Sequence, residues 1–351
     1  MTGLVRWLDD LGPADVTIVG GKVAQLAGLK AAGIPVPNGF AVTAVAYLET
    51  VERGGMSAAL RRLALSVKDD PTRAAEVARE CAALVVGCTV PAAVEDAVTS
   101  AYAKLTLLRR DPLPLVAVRS SALREDSADA SSAGQYDSFL GISGASSVLE
   151  SVQRCWASLF NERALVYRAK YGIDVESSPM AVGVIELVDA RASGVAFSLH
   201  PVTGNADRLV VESTFGWGEA LVQGRVNPDH FEVDRADLRV LQYRVGLKTW
   251  VSTWSGSGTG ITEIAMPEVL VSEPSLTEAE VRRICGVLLN VERLMAEPVD
   301  LEWVWPRSGE GPVVVQARSV TSHREPAQPS SRPTFDPMAN ALRHTFQQKS
   351  G

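Results

Sequence analysis

Residues 299–318 read VDLEWVWPRSGEGPVVVQAR, and the rest of the chain is best read outward from them. Two strand-like runs, 299–305 and 313–318, flank the turn PRSGEGP, which is centred on Gly309. Alternate residues of a strand share a face. Asp300, Glu302 and Val304 therefore share one face of the first run, and Val314, Gln316 and Arg318 share one face of the second. A hairpin symmetric about Gly309 sets Glu302 opposite Gln316 and Asp300 opposite Arg318. Oxygen donors of this kind suit a Mg²⁺ that bridges phosphate groups, and a nearby arginine suits the phosphates themselves. On pattern alone the commoner reading is an exposed polar sheet face with a cross-strand ion pair.

Upstream of this hairpin, Ser275 and Glu278 have capping-box spacing, and Val281, Ile284, Leu288, Val291 and Met295 follow a helical period that Pro298 stops. The runs MAVGVIELV, GVAFSL, RLVVES and HFEVD, from Met180 onward, read as strands, and SGSGTG at 255–260 reads as a flexible loop. The first half is different. Residues 22–32 predict a helix ending at Gly33 before Pro35, and 57–108 predicts two or three helices. Leu115–Val118 suits a buried strand, 119 to about 141 a polar loop, and 146–170 a helix. The expected fold class is α+β, with an N-terminal part over 1–179, a C-terminal part over 180–324 and a loosely held tail over 325–351. Two parts with a cleft between them form a natural ligand site.

Composition narrows the partners. The net charge of -7 excludes holding a polyanion through bulk charge, so any phosphate must be gripped locally. No basic-aromatic pattern suggests nucleic acid. Cys81, Cys88, Cys155 and Cys285 form no CxxC pair, and His200, His230, His323 and His344 sit far apart in sequence, so a zinc site is not expected. The start, MTGLVRWLDDLG, has no apolar run of signal-peptide length, and no stretch approaches a membrane span. The expected location is the cytoplasm.

Three further segments carry candidate chemistry. Gly20-Gly21-Lys22 lacks the P-loop pattern, because Val16 stands where the first glycine belongs and Val23 where Ser or Thr belongs. The glycine pair still permits close backbone approach to a ligand, with Lys22 reaching phosphate; a plain turn with a solvated lysine is the simpler alternative. Arg119-Ser120-Ser121 enters a polar loop holding Glu125, Asp126, Ser132, Gly134 and Gln135, which either covers a nucleotide or is ordinary surface. Met180–Val188 is apolar with one acid, Glu186, and fits either a core strand or one wall of an adenine pocket.

Taken together the segments resemble the N-terminal ATP-binding domain of phosphoenolpyruvate synthase, pyruvate phosphate dikinase and rifampicin phosphotransferase. Five blocks carry the resemblance, in family order over roughly residues 15 to 322: VGGKVAQLAGLKAAGIPVPNGFAVTAVAY, VAVRSSALREDSADASSAGQYDSFLG, VDARASGVAFSLHPVTG, FGWGEALVQGRVNPDHFEVDR, and DLEWVW with VVVQARSVT. The resemblance implies an ATP-grasp fold holding ATP and Mg²⁺ between two lobes. It matches Lys22 and Arg119 to the phosphate-binding lysine and arginine, Glu302 and Gln316 to the metal-side acid and amide, and Arg318 to a further arginine. Lys22, Arg119 and Arg318 are the catalytic candidates. Glu186 and Leu187 match the hinge that touches adenine through the backbone, and Gly134-Gln135 match the loop over the phosphates. The chain departs from the family at Ile185, where Gln is common, at Ser198 (Thr), at His200 (Asn) and at Ser319 (Pro).

In the full-length enzymes a separate swivelling domain carries a phosphorylated histidine in a glycine-rich Thr-Ser-His segment. Thr321-Ser322-His323 follows the last strand with no such lead, so His323 is read as tail. The ending TFQQKSG reads as a natural terminus. The expectation is an ATP-binding subunit that splits ATP to AMP and phosphate and passes the β-phosphoryl to a histidine on a partner subunit, with phenol or a methylphenol as acceptor, as in phenylphosphate synthase. Pyruvate as acceptor in a split phosphoenolpyruvate synthase is the alternative. A non-catalytic nucleotide sensor and a carboxylate–amine ligase stand as readings of other classes.

Overall fold

The computed structural model describes residues 3–123, 136–172, 179–218, 221, 224–254 and 260–320. The chain begins with β1 (Val5–Trp7) and α1 (Val16–Ala31), followed by β2 (Gly39–Val42). Four helices follow: α2 (Ala44–Arg53), α3 (Ser57–Asp69), α4 (Ala74–Val86) and α5 (Ala92–Arg109). Then come β3 (Val116–Ala122), β4 (Ser138–Ile142), α6 (Ala145–Ala157), α7 (Glu162–Tyr171) and β5 (Met180–Glu186). The single helix expected over 146–170 is two, because Asn161 adopts an extended backbone and its side chain caps α7 by accepting from the Ala164 N–H at 2.8 Å.

The five strands form one antiparallel sheet in the order β1-β2-β5-β3-β4. Alternation along the strands sorts its two faces. Phe40, Val42, Val116, Val118, Val182 and Val184 join the cores of α2 to α7, including Trp156 and Leu105. Ala41 and Ile185 face the other way and pack against Val19, Val23 and Ala27 of α1. Burial of each large apolar side chain in such a core contributes roughly 1.5–3 kcal/mol. The change of character at Met180 does not mark a change of sheet: β5 lies at the centre of this first sheet, between β2 and β3. It reads as an unbroken apolar run because both of its faces are covered, and every residue of Met180–Glu186 is buried.

The chain crosses to a second sheet through residues 187–189. That sheet runs β13-β12-β6-β7-β8-β9, all antiparallel, from β6 (Ala190–Phe197), β7 (Arg208–Phe215), β8 (Asp229–Asp234), β9 (Val240–Arg244), β12 (Val299–Pro306) and β13 (Val313–Ser319). A separate two-stranded ribbon is made by β10 (Trp250–Trp254) and β11 (Ile261–Ala265). One face of the large sheet is covered by α8 (Glu278–Met295): Val281, Ile284, Leu288 and Val291 meet Leu209, Val211, Phe231, Leu301 and Trp303. The capping residue differs from the one expected. Thr277 and Glu280 form the capping box, while Ser275 gives both its N–H and its hydroxyl to Asp229 Oδ2, each at 2.7 Å. Asp229 also takes the Lys248 ammonium at 2.6 Å, and both side chains are fully buried.

Among the described residues, backbone contacts also tie the second sheet and the ribbon to the first half of the chain. The Val314 N–H donates to Pro35 O at 2.8 Å, where the chain leaves α1. At the end of the ribbon the Gly260 N–H donates to Gly141 O of β4 at 3.0 Å. Gly141 has φ +72°, and a Cβ there would stand 2.9 Å from the Gly260 carbonyl carbon, so only glycine allows this approach.

Candidate functional site

In the β12–β13 hairpin the register pairs Asp300 with Arg318 and Glu302 with Gln316. Past that point the pairing slips by one, so Trp303 faces Val314 and Val315 is an extra, bulged residue. The bulge corrects one expectation. Val314 does not share a face with Gln316: it turns into the α8-covered core with Leu301 and Trp303. Glu302 and Gln316 stay on the uncovered face, both partly exposed.

Arg119 of β3 reaches this face from the other sheet. It lies in the strand rather than in a loop, because β3 runs on to Ala122. Its Nη2 donates to Gln316 Oε1 at 2.6 Å and lies 3.5 Å from Glu302 Oε2, while Nη1 donates to the carbonyl of the bulged Val315 at 3.2 Å. The bulge thus turns a main-chain acceptor toward the guanidinium. Arg318, on the edge strand β13, is held by Asp300 through Nε at 2.7 Å and Nη2 at 2.6 Å. Burial pushes the Asp300 carboxyl up, against the opposing pull of Arg318, and its Oδ1 is buried with no hydrogen-bond partner.

Lys22 stands in a break within α1. Gly20 has φ 75° and ψ 166°, so the helix restarts at Gly21, and Lys22 is half-buried in its first turn. The Gly20 backbone presses on Ser121, which lies two residues beyond Arg119 on the same face of β3. The Lys22 turn, the end of β3 and the hairpin are thereby consecutive neighbours.

Glu186 ends β5, and its side chain is committed elsewhere. Arg109 Nε lies 3.0 Å from Oε1, and Asn38 Nδ2 donates to Oε2 at 3.3 Å. The main-chain N–H groups of the expected hinge are also engaged: Glu186 donates to Asn38 O at 2.8 Å and Leu187 to Leu115 O at 2.9 Å. Val188 O accepts from Trp217 Nε1 at 2.7 Å. Ile185, at a position where the family often has Gln, is buried against α1. Gly134 and Gln135, with Glu125, Asp126 and Ser132, lie outside the described residues, as does His323.

Sequence separation hid one cluster. His200 Nε2 and His230 Nε2 each lie 3.8 Å from Glu232 Oε1, and His230 Nδ1 lies 3.4 Å from Glu212 Oε1. The signal was strand register, since β7–β8 pairing sets Glu212 directly opposite His230. His200 Nδ1 accepts from the Val202 and Thr203 N–H groups, both at 3.2 Å, which ties the turn as an asparagine side chain does. Ser198 likewise accepts from the Val299 N–H at 2.8 Å, as a threonine hydroxyl would.

The donor set at Glu302 and Gln316 fits a hard cation. One carboxylate and one amide oxygen converge, and the Arg119 guanidinium already lies between them. Mg²⁺ commonly takes one or two protein oxygens and completes its shell from water and substrate phosphates. That agrees with the finding that, among the described residues, no group of three or more His, Cys, Asp or Glu is arranged to hold a metal ion by itself. Among the described residues, also, no helix is long and apolar enough to cross a membrane.

Comparison with known proteins adds an independent line. The family described as pyruvate phosphate dikinase, AMP/ATP-binding domain, matches residues 16–336. Phosphoenolpyruvate synthase from Aeropyrum pernix is 36% identical over 325 residues, which cover 86% of this chain and 40% of that protein. A probable phosphoenolpyruvate synthase from Methanocaldococcus jannaschii is 34% identical, over 91% of this chain and 27% of its own length. Phosphoenolpyruvate synthase from Pyrococcus furiosus is 30% identical, over 92% and 44%. The chain thus spans less than half of each of these relatives.

Proposed function

This chain belongs to the pyruvate phosphate dikinase AMP/ATP-binding family, and from that premise we propose that it performs the ATP-splitting half of a phosphoenolpyruvate synthase-type reaction. In this reading the fold is an ATP-grasp, with ATP between the two sheets, and the products from ATP are AMP and phosphate. The β-phosphoryl passes to a histidine on a separate carrier part and from there to pyruvate. The relatives named above are phosphoenolpyruvate synthases, which favours pyruvate over the phenol-type acceptor expected from a split architecture.

The observation that carries the proposal is the meeting of Arg119 with Glu302 and Gln316 across the two sheets. Phosphoryl transfer is catalysed chiefly by positioning and by neutralising charge that moves between oxygens. Lys22 and Arg119 are the residues assigned to the phosphates on one side, and Arg318, fixed by Asp300, on the other. Glu302 and Gln316 would hold Mg²⁺, which would supply neutralisation of phosphate charge. The hinge at residues 186–188 receives the adenine through main chain. Because the Glu186 and Leu187 N–H groups are spent, a carbonyl at the end of β5 or the Val188 N–H is left for that role.

The test is to incubate the chain with ATP labelled at the β-phosphate, Mg²⁺, pyruvate and a histidine-carrying domain cut from one of the longer relatives. AMP together with acid-labile label on the carrier is the expected result. ADP as the only nucleotide product, with or without the carrier, would overturn the proposal and favour a ligase.

A further inference from the structure

We infer that Ser121 is the positioning residue for Lys22, acting as the missing cap of the helix on which that lysine stands; the inference rests on the phosphate-binding reading of Lys22 given above.

A helix leaves its first N–H groups without partners inside the helix, and the residue at the N-cap normally supplies a side-chain oxygen to the N–H two or three positions on. In α1 the non-helical residue is Gly20, so Gly21, Lys22 and Val23 are the first, second and third helical positions of the restarted segment. Gly20 occupies the cap position and has no side chain to offer. The oxygen comes instead from 98 residues away: the Val23 N–H donates to Ser121 Oγ at 3.2 Å. Val23 is the third helical position, one of the two that a local cap serves.

The substitution of a remote cap for a local one has a steric reason. A Cβ on Gly20 would lie 2.1 Å from Ser121 O and 2.5 Å from Ser121 Oγ, so a local Ser, Thr or Asp cannot stand there while β3 lies where it does. The same closeness puts the Lys22 turn directly on the strand that carries Arg119. Residues two apart on a strand share a face and are separated by about 7 Å. One strand face therefore carries Arg119 to the hairpin and Ser121 to the lysine turn, and Ser121 fixes the spacing between the two cations.

Ser120 provides the contrast. It is equally buried, but it lies on the opposite face of β3, and its Oγ has no hydrogen-bond partner. Loss of its hydroxyl removes no hydrogen bond. Loss of the Ser121 hydroxyl leaves the Val23 N–H uncapped in a buried place and frees the turn that aims Lys22.

The experiment is calorimetric titration of the full chain with ATP and, separately, with AMP, which lacks the β- and γ-phosphates. Ser121→Ala is expected to bind ATP about fivefold more weakly, the equivalent of one lost cap of about 1 kcal/mol. AMP binding should be unchanged, and Ser120→Ala should match the natural chain with both nucleotides. Ser121→Cys, nearly the same size with a much weaker acceptor, serves if the alanine variant does not fold, and the same selective loss is expected of it. Combining either variant with Lys22→Ala should add nothing further, because both act through one side chain. Unchanged ATP affinity in the Ser121 variants, equal losses for ATP and AMP, or an equal loss in Ser120→Ala would each overturn the inference while leaving the function reading intact. A natural chain that binds no ATP would instead sink the function reading on which the inference stands.

Discussion

Arg119 and Gln316, 197 positions apart in sequence, meet at 2.6 Å across the space between two sheets. Neither residue is more than partly exposed, and the contact joins the strand that follows the helical first half to the edge strand that ends the described fold. Arg119→Ala is therefore expected to weaken ATP binding at least tenfold. Its cost in stability should be modest, about 1 kcal/mol, because the pair retains some contact with water. Nucleotide titration and thermal melting, run side by side, separate the two effects.

Gln316→Glu tests the metal assignment. The register sets this position directly opposite Glu302, with the Arg119 guanidinium between the two, so the variant adds a second carboxylate, and Arg119 offsets in part its repulsion from Glu302. A paired carboxylate set should bind Mg²⁺ more tightly, so Mg²⁺ should raise the melting temperature of the variant more than that of the natural chain. Melting curves with and without Mg²⁺ decide it: an equal response in the two chains would count against this pair as the cation site.

Glu186→Ala separates side chain from main chain at the hinge. The carboxylate is occupied by Arg109 at 3.0 Å and Asn38 at 3.3 Å, so it is not the group expected to read the base. The ratio of ATP to GTP affinity should stay within about twofold of the natural value, with a stability loss of order 1 kcal/mol. A changed base preference would show that the side chain itself meets the nucleotide.

Asp229→Ala and Lys248→Met make an unequal pair. Asp229 accepts from Lys248, from the Gly246 N–H and from both donors of Ser275. Removing it strands a buried ammonium and three further donors, a loss of roughly 3–5 kcal/mol. Removing the lysine leaves the carboxylate with three donors, so denaturant unfolding should show a clearly smaller loss.

All four cysteines are free thiols, and they should differ in reactivity. Burial pushes the Cys81 and Cys285 thiols up to about 12 and raises Cys155 further, whereas Cys88 is partly exposed, raised by burial and pulled back by Gln153. The thiolate is the reactive form. A disulfide reagent at pH 8 should therefore modify one cysteine in the native chain, at Cys88, and four after unfolding, as counted by mass spectrometry.

Much of the site's geometry was legible where a local rule governed it. The pairing of Glu302 with Gln316 and of Asp300 with Arg318 followed from strand alternation and a turn centred on Gly309, and both pairs are present. The rule failed at Val314, because a bulge is a departure of one residue that no alternation pattern announces. It failed at Ser275 for another reason: two overlapping capping patterns exist, and Asp229, 46 residues away, claims the first serine. Strand β5 was legible as a strand, but its sequence shows that it is buried and not which strands bury it, so its place between β2 and β3 was not. The His200–Glu232–His230 cluster and the reach of Arg119 to the hairpin depend on register and sheet packing, which a single sequence does not encode locally.

The bond between Gly260 and Gly141 joins two residues that have no side chains, so this contact between the end of the ribbon and the first sheet is made through main chain. Such a bond contributes about 1 kcal/mol net, less than twice the thermal energy. It acts as a clasp and not as a weld: opening it costs little, and no side chain has to be repacked to close it again. Hydrogen exchange at the Gly260 amide, with and without nucleotide, measures how often that bond opens.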